Sequence, residues 1–526
     1  MATVASIQSA VQIRVINPAT GAVLAELPAA TAADVQSAIL RARAAQPEWH
    51  ELGPRGRARV LRRFVEILNR QRSEVAALIT SEAGKPEVEA LLTELITALD
   101  SAQFCAEQAE KFLRPEPVRH SNPLMKTKKG YLLREPHGVI GIISPWNYPF
   151  SIPTTEVLAA LAVGNAVVLK PSELTPLCSL RLQLMLQQAG VPAGVVKVVV
   201  GDGGAGAALL ASPQPVDKIV FTGSVTTGKH VALAAAARLI PVVLELGGKD
   251  PMIVLEDADI EVASSAAVWG AFVNAGQTCL SVERCYVHRS ILPPFVAACT
   301  EKTGKLRIGD GSRPDIEVGP MIHERQLAIV ERQVSDAVSQ GAKILVGGKR
   351  LTELGPNFYA PTVITDVRQS MELMREETFG PVLPIMAFDS EDEAARLAND
   401  SDFGLAASIW TRDRARGEAL ARQIQAGTVM VNDCLTGFAI SEAPHGGIKS
   451  SGIGRTHGRL GLEEMVRVKY VDSDLLPRMS KVWWYGYSQA FSDQMRGFVD
   501  FLFAGRWDKR LKGGIRSAAA LRRKKI

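Results

Sequence analysis

The sequence predicts an α/β protein built on parallel sheets, because short apolar runs alternate with helical segments from Gly138 onward. Strand signals fall at Gly138–Ser144, Ala166–Lys170, Val195–Val200, Lys218–Thr222 and Val242–Glu245. Helical segments Ile152–Leu161, Pro176–Ala189, Ala205–Ala211 and Val225–Leu239 separate them. Strands that are apolar at every position are covered on both faces, and the repeated β-α-β order makes them parallel.

Ahead of this core, residues from about Thr31 to Arg114 carry apolar positions at three- and four-residue spacing and read as helices. Thr31 or Asp34 opens the first, and Gly84-Lys85-Pro86 interrupts the set. Leu113–Pro136 turns proline-rich and charged before an alternating YLLRE, which reads as a projecting hairpin. A second α/β segment follows from Gly247 to Ile448, with a helix at Gln326–Gln340 and a strand at Thr428–Asn432. Val466–Val471 alternates like a half-exposed strand. No 20–50-residue repeat is present.

Composition narrows the class. The chain has 526 residues, 47% of them apolar, and six scattered cysteines. It is long enough for several domains and unlike a disordered or disulfide-stapled protein. No cysteine or histidine cluster suggests a metal site. The formal charge of +5 is concentrated at the end, where Arg506–Ile526 holds nine Lys/Arg and one Asp. The rest is slightly acidic, which gives no reason to expect nucleic-acid binding. The first residues lack the pattern of a signal peptide, and no apolar run approaches the ~20 residues of a membrane span. A cytoplasmic location is expected.

Two places could cradle a dinucleotide. Gly201, Gly203 and Gly206 match G-x-G-x-x-G after a strand, yet no acid ends the next strand, so half of that fingerprint is missing. The better pair is Lys170-Pro-Ser-Glu173 with Gly223-Ser224-Val-Thr-Thr-Gly228. A carboxylate at Glu173 can accept ribose hydroxyls and would repel a 2′-phosphate. The helix start after Ser224 offers free N–H groups to a pyrophosphate. A solvated ion pair and a plain helix cap explain the same residues equally well when they are taken alone.

Three further segments carry chemistry. Asn274-Ala-Gly-Gln-Thr-Cys279 places a thiol after a glycine turn, Leu244-Glu245-Leu246-Gly-Gly-Lys249 sets a carboxylate in an apolar strand, and Pro145-Trp146-Asn147-Tyr-Pro149 holds an amide between prolines. Singly these read as a core cysteine, a strand-end acid and a turn former. Jointly they suit covalent chemistry on a carbonyl: a thiolate nucleophile, an amide at the oxyanion and a carboxylate of raised pKa activating water. A helix N-terminus near Cys279 would favour its thiolate.

These residues at these spacings resemble the aldehyde dehydrogenase superfamily, of the hydrolytic, non-acylating type. PWNYP, LKPSE, FTGS, LELGGK, GQTC, EETFGP and GGIKSSGIGR carry the resemblance, which runs from about Val15 to Asp472. It implies a Rossmann-like cofactor domain (13–112 and 136–246), an α/β catalytic domain (247–448) and a small β oligomerisation flap (113–135 and 463–472). Cys279 is then the nucleophile, Asn147 the oxyanion donor and Glu245 the hydrolytic base. Trp146, Lys170, Glu173, Gly201, Gly223, Ser224, Gly228, Leu246, Glu377 and Phe379 fall on cofactor-binding motifs. The implied reaction is oxidation of an aldehyde to a carboxylic acid with NAD, or with NADP, in a homodimer or homotetramer. A semialdehyde dehydrogenase, an NADP-using relative and a catalytically silent scaffold are the competing readings.

Two features depart from the family pattern. His445 precedes the double glycine where an aromatic, usually Phe, lines the substrate tunnel; it reads as a neutral stacking ring or as a polar contact to substrate. A C-terminal extension, 473–526, is amphipathic and basic. In it Trp484, Tyr487, Phe491, Met495, Phe498 and Leu502 recur at helical intervals. Peripheral contact with an anionic membrane is one reading and docking on the protein the other; membrane contact would make lipophilic aldehydes natural substrates.

Overall fold

A computed structural model describes residues 11–518. They form two compact units: residues 11–114 with Arg134–Arg467, and Pro115–Leu133 with residues 468–518.

The first unit carries two sheets, each with its own apolar core. The six-stranded sheet has the order Gly452–Ile453, Val242–Glu245, Lys218–Thr222, Val139–Ile143, Ala166–Lys170 and Val196–Val198. All neighbours are parallel except the antiparallel edge pair Gly452–Ile453 with Val242–Glu245. The predicted strands Ala166–Lys170, Lys218–Thr222 and Val242–Glu245 appear with the expected limits. Val195–Val200 is shortened to Val196–Val198. The helix predicted at Val225–Leu239 stops at Ala236.

Helices Ala32–Glu51, Gly53–Arg70, Arg72–Ala83 and Ile96–Phe112 precede this sheet. Thr31 opens the first through a capping box: its side chain accepts from the Asp34 N–H while Asp34 accepts from the Thr31 N–H. Gly84 closes the third in the left-handed conformation. A π-helical turn, Ala90–Leu95, interrupts the run. The antiparallel pair Gln12–Ile16 with Val23–Pro28 has no counterpart in the sequence reading.

The seven-stranded sheet runs Lys343–Val346, Thr362–Thr365, Val382–Phe388, Val282–His288, Asp250–Val254, Ala406–Trp410 and Thr428–Val431. Only its first pair is antiparallel. Asp250–Val254 and Ala406–Trp410 are buried at every position, as continuous apolar runs require.

The second unit holds a three-stranded sheet, in which Lys128–Pro136 lies between Val466–Asp474 and Glu116–Val118. The expected hairpin is therefore present but short on one arm. The C-terminal extension departs from expectation. Its helix begins at Gln489, capped by Ser488, so Trp484 and Tyr487 lie ahead of it. The basic segment forms a second helix, Trp507–Ser517, packed on the first. Gly497 and Gly513 sit at the crossing, where a Cβ on Gly513 would strike the Gly497 carbonyl. Two glycines allow this close approach, and a periodic apolar stripe could not reveal it. The final basic residues, from Ala519, lie outside the described residues.

Candidate active site

The strand order creates the site. After Val139–Ile143 the chain builds outward to Ala166–Lys170 and Val196–Val198, then returns to the opposite side at Lys218–Thr222. The two strands flanking this reversal release their chains side by side, and ligands bind α/β sheets at such crevices. Pro145-Trp146-Asn147 leaves one carboxyl end and Gly223-Ser224 the other. Both line a cavity of about 370 Å³ together with Glu245, Leu246, Cys279, Glu377 and Phe379.

A second cavity, of about 230 Å³, meets the first at Ile152, Thr222, Glu245, Leu246 and Cys279. Its wall is largely apolar, with Trp269, Val273, Leu280, Leu405, Leu435 and Phe438. Glu156, His445 and Thr456 also line it, and no Lys or Arg does. The half-buried Cys279 thus lies where a polar cleft joins an apolar tunnel.

Strained backbone aims the thiol. Asn274, Ala275 and Gly276 are consecutively left-handed, with φ of 54°, 54° and 72°. Such a run persists only when its surroundings over-determine it. The Asn274 N–H donates to Glu89 Oε2 at 2.9 Å, and its side-chain amide donates to the Asn147 and Gln277 carbonyls at 3.0 and 3.1 Å. A Cβ on Gly276 would strike the Gly380 carbonyl. No helix starts at Cys279, which lies between the turn Val273–Gly276 and the strand Val282–His288. The expected helix dipole is absent, and burial, then Asp250, Glu377 and Glu245, push the thiol pKa up.

Asn147 is fixed on both sides. Its carbonyl accepts from Lys85 Nζ at 2.9 Å, and its Nδ2 donates to the Gln277 carbonyl at 3.0 Å. One N–H remains for a ligand. Lys85 is itself paired with Glu94 at 2.7 Å, both fully buried. Glu94 also accepts from the Phe150 and Ser151 N–H groups. The helical turn Ala90–Leu95 therefore braces the amide from behind, a function invisible in a helical periodicity.

Glu245 is 5% exposed, and its Oε2 has no hydrogen-bond partner. Burial, followed by the nearby Glu156, raises its pKa well above the usual 4.5. His445 is buried and held down to about 3 by burial and by His457 and Arg455, so it is a neutral ring. It meets Phe438 edge-on at 5.0 Å. The contact is edge-on and not stacked.

On the cofactor side, Glu377 Oε1 accepts from the Gly248 N–H at 3.1 Å. Burial and Glu283 push it up to about 8. Phe379 packs edge-on against Trp146 at 5.4 Å. Glu283, which sequence reasoning missed, holds this loop: it accepts from the Thr378 and Phe379 N–H groups and from Lys249 Nζ at 2.6 Å. Its only signal is a charge inside the apolar strand Val282–His288.

Lys170, Glu173, Gly201 and Gly228 do not line the cavity. Lys170, buried at its strand end, holds the half-exposed Glu173 at 3.2 Å. Ser224 caps Val225–Ala236, leaving the first two N–H groups of that helix without intrahelical partners. The Gly228 N–H is used within the helix, and a Cβ there would come within 2.5 Å of Leu246. At the Gly201 loop, Asp202 already caps the following helix with its own carboxylate. An added anion would be repelled there, which disfavours the loop as a pyrophosphate cradle.

Residues 5–471 match the aldehyde dehydrogenase family. A 4,4'-diapolycopene aldehyde oxidase of a Methylomonas species is 40% identical, over 97% of this chain and 94% of that protein. An aldehyde dehydrogenase of Bacillus cereus, solved as an NAD+ complex, superposes with a TM-score of 0.85 at 36% identity, over 88% of this chain and 93% of that one. An NADP-dependent enzyme of E. coli gives 0.84 at 36% identity, over 88% and 95%. The chain belongs to the aldehyde dehydrogenase family.

Proposed function

We propose that the protein oxidises a lipophilic aldehyde to its carboxylic acid with NAD, through a covalent intermediate on Cys279. The observation that carries this reading is the meeting of two cavities at one half-buried thiol, one lined by dinucleotide-type groups and one apolar.

The residues present suit a dinucleotide. Glu173 would accept ribose hydroxyls, the Ser224 helix start would take the pyrophosphate, and Glu377 with Phe379 and Trp146 would hold the nicotinamide end. When bound, the nicotinamide supplies a hydride acceptor. The carboxylate of Glu173 favours NAD over NADP, because a 2′-phosphate beside it meets like charge.

Cys279 attacks the carbonyl carbon as a thiolate, its proton passing to water in the cofactor-side cleft. Glu245 is kept for the later hydrolytic step. The free N–H of Asn147 and the backbone N–H of Cys279 steady the oxyanion of the thiohemiacetal. After oxidation a thioester remains on Cys279. Glu245 then takes a proton from water, whose oxygen attacks the acyl carbon and releases the acid.

The tunnel supports the substrate class. Its acidic lining groups are Glu156 and Glu245 and no Lys or Arg lines it, so a substrate tail bearing a carboxylate finds no cation there. This weighs against semialdehydes. The Methylomonas relative is named for 4,4'-diapolycopene aldehyde, and this reading takes its substrate from the same class. The test is turnover of decanal, benzaldehyde and succinic semialdehyde with each cofactor. Decanal with NAD should give the highest kcat/KM, and a preference for succinic semialdehyde would defeat the reading.

The C-terminal hairpin supports contact with an anionic membrane. Trp507, Leu511 and Ile515 form one exposed apolar stripe, at 78, 59 and 71% exposure, among Lys509, Arg510, Lys512 and Arg516. No described helix is long and apolar enough to span a bilayer, so the contact is peripheral. Flotation with phosphatidylglycerol vesicles, but not with phosphatidylcholine alone, is expected. Replacing Trp507, Leu511 and Ile515 together by Asp should abolish it, and unaltered flotation would refute the contact.

A further inference from the structure

Where the apolar tunnel reaches solvent, its rim is apolar as well. Leu92, Trp269 and Ala439 line the tunnel and are themselves exposed, so together they mark its mouth. They come from three elements: the helical run from Glu87 to Leu95, the helix Ile260–Phe272, and the residues after the turn Thr436–Phe438.

The first of these carries its amphipathic pattern in reverse. A surface helix turns polar side chains to water and apolar ones inward. Here Val88, Leu92 and Ile96, spaced four residues apart, are 57, 57 and 54% exposed. The acids of the same run turn inward, Glu89 onto the Asn274 N–H and Glu94 onto Lys85. Those inward contacts brace the loops of Cys279 and Asn147, but they leave the outward stripe without a structural task. Across the mouth, Ile440 is exposed beside Ala439. Large apolar side chains gathered in this way mark a binding surface, whereas single ones are ordinary.

The place of this apron says what covers it. Leu92 belongs both to the tunnel wall and to the exposed stripe, so an apolar chain that leaves the tunnel passes directly onto Val88 and Ile96, which lie outside the tunnel lining. We propose that the outer part of a long-chain aldehyde lies on this apron, which makes the enzyme one for aldehydes longer than its tunnel. This rests on the lipophilic-aldehyde reading given above. Each methylene fully shielded from water tightens binding about four-fold, and an open apron shields each one in part. The outer chain is remote from the reacting carbon and is held equally before and during the reaction, so its contribution falls on KM and not on kcat.

Steady-state kinetics of the full chain with NAD test it, using hexanal and hexadecanal, the latter carried on methyl-β-cyclodextrin. The double variant Val88→Ser/Ile96→Ser should raise the KM for hexadecanal roughly ten-fold or more at unchanged kcat. Hexanal should stay within about two-fold of wild type in both constants. An unchanged KM for hexadecanal, or an equal loss with hexanal, would overturn the proposal. Two other occupants give their own signatures. A fall in the solution mass of the variant would make the patch a contact between copies of the chain. A loss seen with hexadecanal in phosphatidylcholine vesicles but not from cyclodextrin would make it a lipid contact. Either result would overturn the assignment to substrate. Failure of the underlying reading looks different: the wild type would then prefer succinic semialdehyde to hexanal and hexadecanal alike.

Discussion

His445 Nε2 lies 3.9 Å from Glu245 Oε2, yet the two do not form an ion pair. Burial holds the imidazole down to about 3 while it drives Glu245 upward, so near neutral pH a neutral ring faces the carboxyl. Shape, not charge, is what His445 contributes to the tunnel. His445→Phe should keep kcat/KM for decanal within about five-fold of wild type, ~1 kcal/mol of transition-state energy. A larger loss confined to one substrate class would identify a polar contact instead.

The raised pKa of Glu245 sets the pH dependence. The proposed hydrolysis needs its base form, so deacylation should climb as pH rises through that pKa and fall away below it. The limb should lie well above 4.5, the usual carboxylate value. Glu156 contributes to the shift by like charge, so Glu156→Gln should move the limb to lower pH. Single-turnover deacylation measured across pH reads both effects.

Lys249 and Glu283 form a fully buried pair at 2.6 Å that also anchors the Thr378 and Phe379 N–H groups. Glu283→Ala leaves a buried ammonium and two N–H groups without their acceptor. Denaturant unfolding should show a loss of about 3–5 kcal/mol. Because the loop carries Glu377, the KM for NAD should rise as well.

Glu173 is half-exposed and held by Lys170. Glu173→Gln removes the charge that opposes a 2′-phosphate, so the ratio of kcat/KM for NADP over NAD should rise by roughly ten-fold, ~1.4 kcal/mol. An unchanged ratio would show that cofactor choice is made elsewhere.

Much of this was legible in the residues. Continuous apolar runs marked the parallel strands, and Ala166–Lys170 and Val242–Glu245 appear where expected. The thiol, the acid and the amide could be chosen because their flanking glycines and prolines are unusual. What could not be read were charges acting from a distance. Lys85 lies in the Gly-Lys-Pro break between two helices, Glu94 in a helical run and Glu283 in a strand, and only the fold brings them behind Asn147 and Phe379. The stripe of the C-terminal extension misled in its start, because Trp484 and Tyr487 keep the helical interval without being helical. Its glycine crossing depends on packing, which periodicity does not encode.

The most direct measurement is the mass of the Glu245→Gln enzyme after acid quench from NAD and decanal, with peptide mapping. A stable decanoyl adduct is expected, mapped to the peptide that contains Cys279. An enzyme that turns over in the wild type but yields no adduct in this variant, or carries it on another cysteine, would contradict it.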